Sequence, residues 1–171
     1  MKKIAFVLAL ALCLSIFTGC GNDAAETLTA PEGTAEELMN KLYENVTVEL
    51  PLVTMPVDLS DEYAVSTYLG TEGTDAVKEA AYSESMIGAQ AYNVTLVRVT
   101  DAAQAETVAK AMFDNIDTRK WVCVEATEKQ AAVCGDLVLF VMLNPEYGVT
   151  CDQIVESFTT LCGGTVGTVL K

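Results

Sequence analysis

The sequence predicts an α+β domain in which an antiparallel sheet of four to five strands carries helices mainly on one face and is preceded by an N-terminal helical segment. Two observations favour this class. Short apolar stretches come in pairs around turn residues, as in β-hairpins. A segment with helical apolar periodicity follows each pair, and such helices pack as a layer on an antiparallel sheet. The length of 171 residues suits one such domain.

The first helix is predicted over residues 35–46. Thr34 and Glu37 match a capping box, in which each side chain bonds a free amide at the start of a helix. Apolar residues then recur on one helical face. The stretch 48–59 contains two prolines and is predicted to be mainly an extended loop. A short helix is predicted over 60–69, where a glycine ends it.

Strands are predicted in the centre of the chain and after it. They cover residues 77–85, 91–99, 121–125, 131–134 and 137–143. Gly135 and Asp136 form the turn of the second hairpin, which places Cys134 opposite Leu137. The last strand is apolar throughout, and this is typical of a central strand that is covered on both faces or nearly so.

Two further helices are predicted around the second hairpin. The strongest helical period in the chain indicates a helix over 101–116 that packs one apolar stripe on the sheet. This stripe consists of Ala105, Val108, Ala109, Met112, Phe113 and Ile116. A C-terminal helix begins after Thr150, which forms a capping box with Gln153, and ends at Gly163.

The N-terminus has the pattern of a bacterial lipoprotein leader. Lys2 and Lys3 precede an apolar run that is shorter than the ~20 residues of a transmembrane helix. Small residues then precede Cys20, as in the lipobox, where the cysteine thiol carries a diacylglycerol; the alternative is a plain secretory signal with an incidental cysteine. We expect the lipid on Cys20 to hold the protein on the extracytoplasmic face of the cell membrane. The predicted organisation is a signal peptide over 1–19, a flexible tether over 20–33 and a single domain over 34–171.

Composition excludes several functions. The 24 acidic residues against 10 basic ones argue against nucleic acid as a partner, because phosphate binding needs clustered Lys and Arg. The absence of histidine removes Ser-His-Asp catalysis and His-ligated zinc. Nucleotide-binding glycine motifs and serine-hydrolase motifs do not occur, and the carboxylates of Asp58, Asp61 and Glu62 suit a solvated surface. We therefore predict no catalytic residue, no metal and no cofactor.

Two groups of side chains are candidate ligand contacts. Lys110, Arg119 and Lys120 form a dense basic group that suits either the end of the central helix or an acidic ligand. Aromatic residues could line a groove or fill the core. The aromatic candidates are Tyr63, Tyr68, Tyr82, Tyr92, Trp121 and Tyr147.

The four cysteines of the predicted domain leave three arrangements open. Cys151 and Cys162 lie ~16 Å apart on one predicted helix, which is too far for a disulfide. The first arrangement pairs Cys123 with Cys151 and Cys134 with Cys162, and ties the last helix to the sheet at both ends. The second pairs Cys123 with Cys134 across a turn at 128–129 and leaves the helix thiols free. In the third, all four stay reduced and act as small apolar residues.

Several segments together resemble a family of Firmicutes lipoproteins known as domain of unknown function 4358. Besides the lipobox, they are the Asp-Glu-Tyr of 61–63, the strand end 95–101, the alanine-rich helix that follows it, and the segment 120–124 leading to 135–137. The resemblance covers roughly residues 45–162. It implies a surface-exposed, lipid-anchored α+β domain, and it implies no activity or ligand site.

Three functions remain open for this chain. The first is a cell-surface binding or interaction module that presents a surface to a protein, a cell-wall component or a small ligand. The second is an extracytoplasmic enzyme that works without histidine, through carboxylates or a thiol. The third is a thiol–disulfide protein, which the lack of a C-x-x-C pair disfavours. We predict the interaction module, with the other two as alternatives.

Overall fold

A computed structural model describes residues 28–171 and shows an α+β fold with four α-helices and six strands in this range. The helices are α1 (Ala35–Tyr43), α2 (Glu62–Leu69), α3 (Ala105–Asn115) and α4 (Cys151–Leu161). The strands are β1 (Leu52–Pro56), β2 (Val77–Ser85), β3 (Tyr92–Val99), β4 (Glu128–Cys134), β5 (Leu137–Leu143) and β6 (Val169–Leu170). The predicted signal peptide, Cys20 and the first part of the predicted tether lie outside the described residues.

Three helices begin at side-chain caps. Thr34 Oγ1 accepts a hydrogen bond from the amide of Glu37, whose carboxylate accepts one from the amide of Thr34 in return. Thr150 and Gln153 exchange the same pair of bonds at the start of α4. Both capping boxes are therefore confirmed. The carboxylate of Asp61 accepts a hydrogen bond from the amide of Tyr63 and so caps the start of α2.

The strands follow the order β1-β2-β3-β5-β4-β6, and every neighbouring pair is antiparallel. Cys134 lies opposite Leu137, so the second hairpin turns at Gly135 and Asp136 as predicted. Gly135 has a φ of +57°, and a Cβ atom there would lie 2.6 Å from the carbonyl oxygen of Leu28. Both facts require glycine at this position.

Helices cover both faces of the sheet. On one face, the α3 face, α3 packs against alternate residues of β5 such as Val138 and Phe140, and α2 packs beside α3. On the other, the α4 face, α1 and α4 pack around Leu139 and Val141. The prediction of helices mainly on one face is therefore wrong. Every residue of β3 and β5 is buried, so each side of the sheet needs a cover.

The number of strands and the conformation of residues 121–125 also differ from the prediction. The sheet has six strands rather than four to five, because 52–56 and 169–170 form short strands at its two edges. Proline is tolerated in an edge strand, so the prolines of 48–59 do not prevent β1. Residues 121–125, predicted as a strand, are irregular. The φ of Cys123 is +62°, which is incompatible with a strand conformation.

Residues 28–33 pack against one end of the sheet. The buried Arg98 of β3 donates hydrogen bonds to the carbonyl oxygens of Pro31 at 2.8 Å and Gly33 at 3.0 Å, and to the carboxylate of Asp136 at 2.7 Å. The described part of the predicted tether is thus held by a charged side chain, and the packed part of the chain begins no later than residue 28.

The sheet has two distinct ends, which matter for the site described below. The proximal end holds Arg98, the β4–β5 turn and the N-terminal segment. Tyr92 begins β3 at the other, distal end, which also holds the β2–β3 turn over residues 86–91. The chain that follows α3 reaches this end, where the amide of Val122 donates to the carbonyl of Gly88 at 3.2 Å.

Candidate interaction surface

A buried ion pair lies near the distal end of the α3 face. The ammonium of Lys120 contacts one carboxylate oxygen of Glu84, and the side chains are 12% and 18% exposed. Aromatic rings surround the ammonium, whose Nζ lies 4.1 Å from the ring centroid of Tyr68 and 5.3 Å from that of Trp121. At these distances, each ring face attracts the cation in addition to the carboxylate.

The second oxygen of Glu84 is also engaged. Tyr68 donates a hydrogen bond to it at 3.0 Å, and the ring of Tyr68 stacks on that of Tyr82 with a centroid separation of 3.8 Å. The hydroxyl of Tyr82 in turn donates to the sulfur of Met55 at 3.6 Å. The cluster therefore connects the second strand of the sheet to the edge strand, α2 and the segment after α3.

Helix α2 places Tyr68 in this cluster. Val65 and Leu69 are the buried residues of α2, and Tyr68 lies beside them on the same side of the helix. The helix ends at Gly70, which adopts a left-handed conformation with a φ of +61°. The side chain of Asn115 donates to the carbonyl of Gly70 at 2.9 Å, which fixes the end of α2 against α3.

Burial shapes the electrostatics of the cluster. Desolvation lowers the pKa of Lys120, and the neighbouring Glu84 carboxylate opposes this shift. Burial raises the pKa of Tyr68, and the charge of Glu84 raises it further, so the phenol stays protonated and remains a donor. Both oxygens of Glu84 are occupied. We call this group, Tyr68, Tyr82, Glu84, Lys120 and Trp121, the platform. Its fixed polar contacts suit binding rather than proton transfer.

Exposed apolar side chains surround the platform. Met86 and Val122 are each 70% exposed, and Ile87 is 48% exposed. On the edge strand, Val53 lies opposite Glu84 and Met55 lies opposite Tyr82, and both face solvent. We call this region the distal surface. It comprises Val53, Met55, Tyr68, Tyr82, Glu84, Met86, Ile87, Lys120, Trp121 and Val122.

The structure separates the predicted basic and aromatic groups. Lys110 and Arg119 pair with nearby aspartates on the exposed surface, and Lys120 alone points inward. Three of the six predicted aromatic residues meet at the distal surface. Tyr92 is instead a core residue whose hydroxyl lies 3.0 Å from that of Tyr43. The remaining two predicted aromatic residues are Tyr63, which is exposed, and Tyr147, which accepts a hydrogen bond from the amide of Ala91.

Sequence reasoning missed Glu84, although the sequence contains a signal for it. In the predicted strand 77–85, Glu84 shares a face with Ala80 and Tyr82, which point toward the core. A carboxylate at a core-facing position needs a partner. The partner, Lys120, lies 36 positions later in the chain, directly before the predicted strand 121–125. The spacing therefore could not indicate the pair.

The structure brings one predicted cysteine pair together. The thiol of Cys134, at the end of β4, lies close enough to that of Cys162, just after α4, to affect its titration. Burial raises the pKa of Cys162, and the Cys134 thiol raises it further. The Cys134 thiol also donates to the carbonyl of Thr29 at 3.8 Å. Both are free thiols in the structure.

The other predicted pair is not brought together. Cys123 is exposed next to Trp121, which packs on the α3 face. Cys151 is buried on the α4 face, where its thiol donates to the carbonyl of Val141 at 3.9 Å. The sheet lies between them. Burial and the neighbouring carboxylate of Glu128 raise the pKa of Cys151 to about 12.

A cleft elsewhere on the described surface offers fewer features for recognition. It has a volume of about 560 Å³ and lies between the end of α1 and α4. Its polar side chains, such as Glu49 and Glu156, are exposed, and the buried Ser157 already donates to the carbonyl of Leu42. Among residues 28–171, no group of three or more carboxylate and thiol side chains could hold a metal ion. Within the same range, no helix is long and apolar enough to cross a membrane.

Comparison with known proteins adds no assignment. No family model matches the chain, and no curated protein and no solved structure matches it. The resemblance to the lipoprotein family therefore stays a prediction, and the functional argument depends on the chain's own residues.

Proposed function

We propose that this protein is a lipid-anchored binding module on the extracytoplasmic face of the cell membrane, and that the distal surface recognises its partner. The anchor is the lipid on Cys20, and the partner is a protein or a component of the cell wall. One observation carries the proposal: exposed apolar side chains surround a buried ion pair at one end of a sheet that helices otherwise cover.

The position of the anchor supports this use of the distal surface. Leu28 contacts the β4–β5 turn at the proximal end. Seven residues separate Cys20 from Leu28, and the eight Cα–Cα steps between them span at most about 28 Å when extended. A tether this short favours an orientation with the proximal end nearer the membrane, which supports recognition at the distal surface. The net charge of −14 also repels anionic lipid headgroups.

The energetics of the distal surface also favour recognition. A buried ion pair is often no more stabilising than apolar side chains of the same volume, because both charges lose water. Exposed apolar side chains likewise add nothing to the stability of an isolated domain, and clusters of them mark interaction sites. The distal surface combines both features. Neither feature stabilises the isolated domain, whereas both can contribute contacts to a bound partner.

Cross-linking in intact cells tests the proposal. The wild-type protein is compared with Val122→Asp, which places a charge in the distal surface. Thr160→Asp is the matched control, because it adds the same charge at an exposed position on α4, across the sheet. We expect one partner at near-stoichiometric yield with the wild type and the control, and its loss with Val122→Asp. Retention of the same partner by Val122→Asp would place the recognition site elsewhere.

The thiol–disulfide alternative has weaker support. Thiol exchange requires a thiolate, and burial raises the pKa of both Cys151 and Cys162. Cys123 is exposed, and no second thiol of the described chain lies on its face of the sheet. For the enzyme alternative, the carboxylate at the centre of the distal surface, Glu84, has both oxygens occupied and is therefore poorly placed to act as a general acid or base.

A further inference from the structure

Strand β1 forms one edge of the sheet, and part of its backbone faces outward. The carbonyl of Pro51 accepts a hydrogen bond from the amide of Met86, directly after β2, and the amide of Val57 donates to the carbonyl of Ala80 in β2. Hydrogen-bonding direction alternates along an antiparallel strand, so the odd-numbered residues between them also bond to β2. Leu52 and Thr54 therefore direct their amides and carbonyls away from the sheet, on a side where no described strand pairs with them.

Apart from Pro56, this edge lacks the side chains that usually protect one. Edge strands in natural proteins often carry lysine or inward-pointing charges, which prevent pairing with another chain. Residues 50–57 contain no charged side chain. Pro56 removes one outward amide, but the remaining outward groups are two amides and three carbonyls. Val53 and Met55 face solvent on the α3 face, so a strand added at this edge would extend the distal surface.

Charge decides between the possible occupants. Glu49 precedes β1 and Asp58 follows it, and both are exposed. Antiparallel pairing of two copies through β1 would bring Glu49 of one copy towards Asp58 of the other, in a chain that is already strongly acidic. An extended peptide with lysine or arginine near each end would instead meet an opposite charge on both sides. Apolar side chains at its alternate positions would contact Val53 and Met55.

We infer that β1 binds an extended segment of a basic partner polypeptide as an additional antiparallel strand. The inference rests on the proposed function and specifies how the partner contacts the distal surface. Main-chain hydrogen bonds to Leu52 and Thr54 supply affinity in this mode, and contacts with alternate side chains supply selectivity.

A displayed library of random decapeptides, selected on the purified mature protein, provides the probe. We expect enriched peptides to carry basic residues at their ends and β-branched or aromatic residues at alternate positions. Hydrogen exchange is then measured on the wild-type protein with and without an enriched peptide. The amides of Leu52 and Thr54 should exchange quickly in the free protein and at least about tenfold more slowly in the complex. The amides of Val53 and Met55, which already bond to β2, should change less.

Two variants complete the test. Thr54→Pro removes an outward amide at an edge position where proline is tolerated, and should weaken peptide binding by about tenfold or more. Thr54→Val keeps the amide and should bind as the wild type does. Because the exchange measurement uses the wild type, the test does not depend on folding of the proline variant.

Several outcomes would overturn the inference. Failure to enrich any peptide, or enrichment of acidic or proline-rich peptides, contradicts it. Protection of Leu52 and Thr54 in the free protein, together with a dimer by sedimentation, assigns the edge to a second copy. Peptide binding that Trp121→Ala abolishes, while Leu52 and Thr54 remain unprotected, retains the proposed function and removes strand addition. Conversely, if the peptide adds to β1 while no cross-linked partner in cells depends on Val122, that result would contradict the proposed function alone.

Discussion

The Glu84–Lys120 pair provides a quantitative test of how the distal surface is built. Glu84→Gln leaves the Lys120 ammonium buried without its counter-charge. Lys120→Met likewise leaves the Glu84 carboxylate buried without its counter-charge. Removal of one partner from a buried pair costs ~3–5 kcal/mol. Because the two side chains are 12% and 18% exposed, we expect the lower end of that range, about 3 kcal/mol, for either variant.

The double variant separates burial from pairing. With Glu84→Gln and Lys120→Met together, no charge remains buried, and the free energy of unfolding should return to within about 1 kcal/mol of the wild-type value. Urea melts followed by circular dichroism measure all four proteins. A loss of 3 kcal/mol lowers the midpoint by about 1.5 M if the slope is ~2 kcal/mol/M.

An exposed ion pair on α3 serves as the control. Lys110 and Asp114 are 71% and 47% exposed at a contact distance of 2.6 Å. Lys110→Met and Asp114→Asn should each change stability by no more than about 0.5 kcal/mol. If Lys120→Met costs as little as Lys110→Met, the pair is not buried in solution, and the description of the platform is refuted.

The pH dependence of stability gives the same pair a second signature. The folded-state pKa of Lys120 lies below the unfolded value of 10.5, so the unfolded chain binds this proton more tightly. The wild-type protein should therefore gain stability as the pH rises from the folded to the unfolded pKa. Lys120→Met should lack that gain. Glu84→Gln removes the charge that opposes the shift, so its gain should begin at lower pH.

Three further outcomes are expected. Arg98→Ala removes the hydrogen bonds that hold residues 28–33 and should lower the free energy of unfolding by about 3 kcal/mol in urea melts. A nonspecific protease should also cleave that segment faster. Unchanged cleavage would contradict the role of Arg98. Alkylation of the native protein, mapped by mass spectrometry, should label the exposed Cys123 first. Cys151, with a pKa of about 12, should react only after unfolding, and equal labelling would contradict its burial. Cys20→Ala should release the protein from the membrane fraction or leave it unprocessed, and membrane fractionation like that of the wild type would argue against the lipid anchor.

Local signals in the sequence predict much of the fold. The two capping boxes, the turn at Gly135 and the resulting position of Cys134 opposite Leu137 depend on short-range chemistry, and all are confirmed. The apolar run of β5 also indicates a central strand, and the structure places it there. That run already implied cover on both faces, but a helix's apolar stripe does not reveal which face of the sheet it will bury.

The features that sequence reasoning missed depend on distant contacts. β1 pairs with a strand that begins more than twenty residues later, and its prolines favoured a loop. The apolar content of Trp121–Val124 indicated a strand, whereas the structure uses this segment to bring Lys120 to Glu84 and to expose Val122. Neither contact has a fixed spacing along the chain. The position of the candidate site therefore follows only from the fold, although the sequence already indicated its three aromatic residues as candidate ligand contacts.

Site-specific photo-cross-linking in intact cells tests most directly whether the distal surface recognises a partner. A photoreactive side chain replaces Met86, which is 70% exposed at the distal end, or Thr160, which is exposed on α4 across the sheet. The proposal predicts a discrete adduct of constant mass from position 86, reduced by Trp121→Ala, and no such adduct from position 160. Equal adducts from both positions, or none from position 86, would contradict it.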